Sequence, residues 1–96
     1  MPTYISLISW TDQGIHDYKN TLDRAAAAAE VAESMSGTLK DVYWTVGPYD
    51  ITVSEFPDDA SGTAFLLAVG AQRNIRTTTM RAFNRDEMAE IVQKAP

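Results

Sequence analysis

Val46-Gly47-Pro48-Tyr49-Asp50-Ile51 stands between two runs that alternate apolar and polar residues, Thr38–Val46 and Ile51–Phe56. This pattern predicts a hairpin tip. Gly47 offers a position free of Cβ clashes, Pro48 presets φ for the second turn position, and Asp50 can accept backbone N–H groups around the corner. Tyr49 at the third position favours a type I turn, because a type II turn wants a residue that tolerates positive φ there. The turn joins the two central runs of the chain and sets their register.

Outward from that hairpin, the chain alternates strand and helix patterns. Tyr4–Trp10 is β-branched and aromatic, which predicts a first strand, followed by a loop to about Asn20. From Thr21, Leu22, Ala25, Ala29, Ala32 and Met35 recur at helical spacing. Ser36-Gly37 ends that helix, with Gly37 suited to the left-handed position beyond a helix end. Pro57-Asp58-Asp59 supplies a cap and early acidic residues for a second helix through Val69. Its stretch Ala64–Val69 is apolar on nearly every side, so it needs cover on more than one face. Ile75–Phe83 predicts a fourth strand, and Asn84 with Glu87 forms a capping box opening a C-terminal helix.

The order βαββαβ plus a tail helix predicts an α+β, ferredoxin-like domain spanning residues 1–96, with an antiparallel four-stranded sheet. Both helices then lie on one face of the sheet and leave the other bare. Alternation sorts Ile5, Leu7, Val42, Trp44, Ile51, Val53 and Met80 onto one face. It sorts Tyr4, Ser6, Ile8, Trp10, Tyr43, Thr45, Thr52, Ser54, Thr77, Thr79 and Arg81 onto the other. The second set is too aromatic for open water and too hydroxylated for a dry core. It is expected to be the bare face, closing on a second copy around a semi-polar cavity.

Composition narrows the function classes. At 96 residues and a net charge of −5, with eight scattered Lys and Arg, the chain lacks the basic face that nucleic acid or anionic membranes require. Without cysteine and with one histidine, no metal site is expected, nor any cofactor. No apolar run approaches membrane-spanning length and no leader pattern opens the chain, which predicts a soluble cytoplasmic protein.

Three ordered motifs, Trp10-Thr11 with Gly14, the Gly47-Pro48-Tyr49-Asp50 turn, and Asn74-Ile75-Arg76-Thr77-Thr78-Thr79-Met80-Arg81-Ala82-Phe83, together resemble the GYD-domain family of the dimeric α/β-barrel superfamily. The resemblance covers almost the whole chain. It implies pairing through the sheet into a dimeric α/β barrel, and it implies no particular activity. The chain departs from it at Arg73, where family members often have glycine, and at His16.

Asp50 is read first as a turn carboxylate that caps free N–H groups, and second as an acceptor for a ligand. With Asp50, the ligand-binding candidates are Trp10, Tyr43, Tyr49, Arg76 and Thr77, and no catalytic residue is assigned. The expected function is small-molecule binding or regulation in a cavity at the sheet–sheet interface of a homodimer or higher oligomer. The alternatives are a cofactor-independent oxidoreductase or isomerase using the same cavity, and a structural oligomer subunit.

Overall fold

A computed structural model describes the whole chain, Met1–Pro96. The elements run β1 (Thr3–Trp10), α1 (Asp12–His16), a 3₁₀ turn (Tyr18–Asn20), α2 (Thr21–Ser34), β2 (Thr38–Tyr43), β3 (Asp50–Glu55), α3 (Asp59–Gly70), β4 (Ile75–Ala82) and α4 (Arg85–Lys94). The sheet is antiparallel with strand order β2-β3-β1-β4, the α+β plan expected from the sequence. Helices cover one face only, and the slab they form measures 50 × 30 × 17 Å.

The register decides which face is covered. Tyr4, Ser6 and Ile8 lie opposite Ser54, Thr52 and Asp50 on one side and opposite Arg81, Thr79 and Thr77 on the other. Tyr4, Ser6 and Ser54 are buried beneath the helices. The semi-polar face is therefore the covered one, and the apolar face of Ile5, Leu7, Ile51, Val53 and Met80 is bare, the reverse of the expectation. Two features account for this. The buried hydroxyls find partners, as in the 2.8 Å bond between Ser6 Oγ and Thr79 Oγ1, and no buried side-chain N or O lacks one. Small residues on both layers also let the helices approach the sheet closely, as Ala28 and Ala32 do on α2.

A bulge in β2 corrects the expected phase of that strand. Leu39 faces Ser54 and Asp41 faces Val53, so Lys40 is an extra residue and the alternation slips by one. Val42 consequently joins Leu39 on the helix side, and Tyr43 is turned to the bare side, opposite Ile51. β2 also ends at Tyr43 rather than Val46, so the connection to β3 is a six-residue loop, Trp44–Tyr49. Gly47 has no positive φ and a Cβ there would meet only Thr45 Oγ1 at 3.7 Å, so the loop does not depend on glycine.

The core is small and lies toward one end of the slab. Phe56 is 1 % exposed, its ring 5.0 Å from that of Phe65 and 6.3 Å from that of Tyr4, with Ala32 closing the cluster. Gly37 belongs to this packing. Ser36, with φ 63°, takes the left-handed position after α2, whereas a Cβ on Gly37 would fall 2.3 Å from the Phe56 ring. Arg73 likewise adopts φ 69°, which explains why glycine suits that position.

α3 is capped by Asp58, whose side chain accepts the Ser61 N–H at 2.8 Å, a bond that holds its carboxyl below the ordinary carboxylate range. Beside it, Tyr4 donates its hydroxyl to Asp59. Burial first, and that hydrogen bond second, push the Tyr4 phenol up to about 12. The folded chain thus keeps a proton that the unfolded chain releases near pH 10, so this contribution to stability is complete below pH 10 and is lost as pH rises toward 12. A slope of up to about 1.4 kcal/mol per pH unit is expected over that window. Denaturant titrations at stepped alkaline pH check it: Tyr4→Phe should flatten the decline, and an equally steep decline in that variant would contradict the assignment.

Candidate functional site

The far end of the slab is less tightly filled. There the C-terminal end of β1 and the starts of β3 and β4 face the first turns of α2, where Ala25 and Ala28 are too small to close the gap. The result is an inner cleft of about 100 Å³ beside an outer basin of about 310 Å³. Ile8, Trp10, Trp44 and Asp50 border both, and so form the neck between them. The inner floor is apolar, with Leu39, Val42, Val69 and Ile75, while Thr21, Thr52, Gln72 and Asn74 bring polar atoms to its edge.

Each neck residue is placed by an identifiable contact. Asp50, the first residue of β3, accepts the Thr45 N–H through Oδ1 at 2.7 Å, and its other oxygen has no partner in the chain. The Thr45 hydroxyl in turn accepts the Gly47 N–H at 3.1 Å and donates to the Tyr49 carbonyl, which braces the loop. Asp50 is therefore the cap the sequence predicts, with half of its carboxylate left over. Trp44 reaches across to α2, its indole N–H donating to Thr21 Oγ1 at 3.0 Å. Trp10 lies beneath the Arg24 guanidinium, 5.6 Å from the ring centroid.

Arg24 gathers the segment after β1. It donates to the Asp17 carbonyl at 2.8 Å and to the Gly14 carbonyl at 3.3 Å, and it pairs with the Asp17 carboxylate at 3.5 Å. The sequence predicts a loop here, yet Asp12–His16 is a short helix whose cap is Thr11, accepting the Gly14 N–H at 3.1 Å. Five residues with a central glycine carry no helical periodicity, so only the tertiary contacts reveal it. Gln13 Nε2 bonds both the Gln72 carbonyl and Asn74 Oδ1 at 3.0 Å, docking α1 on the turn before β4.

Of the six residues nominated from sequence, Trp10 and Asp50 meet at the neck. Thr77 shares their sheet face, opposite Ile8, but lies outside the cleft lining. Tyr43 and Arg76 are on the bare face, paired with Ile51 and Ser9. Tyr49 is on the exposed loop and contributes its carbonyl to Thr45. His16 is exposed at the end of α1 and borders neither volume. Nothing in the sequence singles out Arg24, although it is the only basic residue of α2, and the bulge puts Trp44 on the face of Ile8 and Trp10 rather than that of Ile5.

Comparisons with known proteins agree with this architecture. The family model described as the GYD domain matches residues 4–92. A crystal structure, that of TTHA0845 from Thermus thermophilus, is similar at a TM-score of 0.56 and 22 % identity over 88 % of this chain and 95 % of that one, a likeness of fold. No curated protein matches the chain. No helix is long and apolar enough to cross a membrane.

Proposed function

The chain belongs to the GYD-domain family, and from that premise we propose that it is a small-molecule-binding or regulatory domain whose ligand enters the cleft between α2 and the sheet. The observation that carries this reading is the neck: two indoles and a half-satisfied carboxylate around a gap that alanines leave open. Concave, largely apolar sites with a few placed polar groups are the usual form of ligand pockets. A catalytic alternative would need a proton donor set against an acceptor, and Asp50 is the only carboxylate lining the cleft. A purely structural subunit would gain stability by filling this gap with larger side chains.

We also propose that the bare sheet face closes on a second copy, giving the dimeric barrel. Only nine of 96 residues are buried, and the radius of gyration of 14.5 Å exceeds the roughly 12.5 Å of a compact chain of this length. Both point to cover supplied from outside. Amphipathic α4 has no buried residue, and its Met88 and Val92 are exposed, so it offers further apolar area to the same partner.

Thermal melting with a panel of small metabolites tests the binding reading. A ligand that raises the melting temperature of the wild type should lose that effect in Ala25→Leu, which fills the cleft. A rise that survives filling would place binding elsewhere and overturn the reading.

A further inference from the structure

We infer that the cleft takes an organic amine, a compact apolar or aromatic body carrying one ammonium group, held by Asp50 at the neck. The inference rests on the binding reading above and adds the charge and shape of the ligand.

Charge is the first argument. The ion pairs of the chain are Arg24–Asp17 and Lys40–Glu55, and Asp50 belongs to neither. One of its oxygens receives the single N–H of Thr45 and the other has no partner in the chain, in a lining shared with two indoles and Ile8. A carboxylate oxygen left without a partner beside apolar rings gains from a cation that donates to it. Arg24 does not make the site anion-binding, because its terminal nitrogens already serve Asp17 and Gly14 and its face is spent on Trp10.

Shape gives the rest. Trp44 lines the same neck as the carboxylate, and an indole beside a carboxylate is the combination that favours ammonium over a metal ion or a strongly hydrated sugar, while Trp10 already carries one cation, Arg24, over its ring. Beyond the neck, the floor of Leu39, Val42 and Val69 calls for an apolar body. The inner 100 Å³ is smaller than the roughly 150 Å³ cavity known to hold benzene, so a short alkyl chain or one ring partly in the outer basin is the size that fits.

Phenethylamine, 2-phenylethanol and 3-phenylpropionate share one body and differ in charge. Calorimetry and tryptophan fluorescence near physiological ionic strength should show binding of the amine above both others, and about ten- to hundredfold weaker amine binding in Asp50→Asn. The asparagine amide oxygen can still accept the Thr45 N–H, so this variant is expected to fold. Trp44→Leu provides a second route if it does not: it should weaken the amine severalfold and the alcohol much less. Alcohol or acid binding as tight as the amine, with Asp50→Asn without effect, would overturn the amine inference and leave the binding reading standing. Binding of none of the three would overturn both.

Discussion

Leu7→Lys is expected to leave the domain folded and to convert a dimer into a monomer at micromolar concentration. Leu7 lies on β1, an inner strand, between Ile51 of β3 and Thr78 of β4, on the same face as Ile5, Val53 and Met80. That face carries no helix, and Met80 is 46 % exposed. In the isolated chain a lysine there can run its stem along its neighbours and keep its ammonium wet. Against a second copy, the same charge would be driven into an apolar layer together with its symmetry mate, because a twofold interface presents each residue twice. The cost of desolvating both is several kcal/mol, which weakens association by about a thousandfold or more. Sedimentation velocity reads the result directly. A persistent dimer would move the partner surface elsewhere, for instance to the outer helix face, where Leu22 and Leu67 are 67 % and 71 % exposed.

Gly14→Ala should be the most damaging single methyl in the chain. A Cβ at that position would lie 2.0 Å from the Asn74 carbonyl oxygen and 3.0 Å from its carbon. These are backbone atoms, and the same oxygen already accepts the Thr11 N–H at 3.1 Å, so neither side can yield without undocking α1. The expected loss is about 3 kcal/mol, the upper end of overpacking penalties, or a melting point lower by roughly 10–20 °C. Because Arg24 is bonded to the Gly14 carbonyl and stacked on Trp10, the displacement should also disturb the cleft rim. Gly70→Ala is the control: a Cβ there meets nothing within 4 Å, so melting should be unchanged or slightly raised. Equal behaviour of the two variants would show that the α1–β4 contact is not as tight as described.

The fold was legible because every sheet strand and the three longer helices carried their own local signals, whereas α1 did not. β-branched runs marked β1 and β4, Asp58 and Asn84 announced α3 and α4, and the Pro48–Asp50 turn separated β2 from β3. The face assignment was not legible. It turned on one extra residue at Lys40 and on hydroxyls such as Ser6 and Thr79 that become good core residues only when they find each other across strands. Gly37 shows the same limit from another side. Its position after a helix suggests a left-handed cap, but Ser36 takes that conformation and Gly37 makes room for the ring of Phe56.

For the site, Asp50 and Trp10 could be named because a turn aspartate and a strand-end indole are informative wherever they occur. Arg24 acts through Gly14, Asp17 and Trp10, contacts that the alanine-rich helix around it does nothing to advertise. The cleft itself is made by an absence of bulk at Ala25 and Ala28, and a sequence shows what is present more readily than what is left unfilled.

The proposed ligand site lies between helix and sheet rather than between two sheets. NMR of the indole N–H and methyl groups during titration with phenethylamine separates the two, since the chain has only two tryptophans. Shifts are predicted for both indole signals and for the methyls of Ala25 and Ala28, with those of Ile5, Leu7, Val53 and Met80 unmoved. Shifts confined to the methyls of Ile5, Leu7, Val53 and Met80, with both indoles silent, would contradict the account.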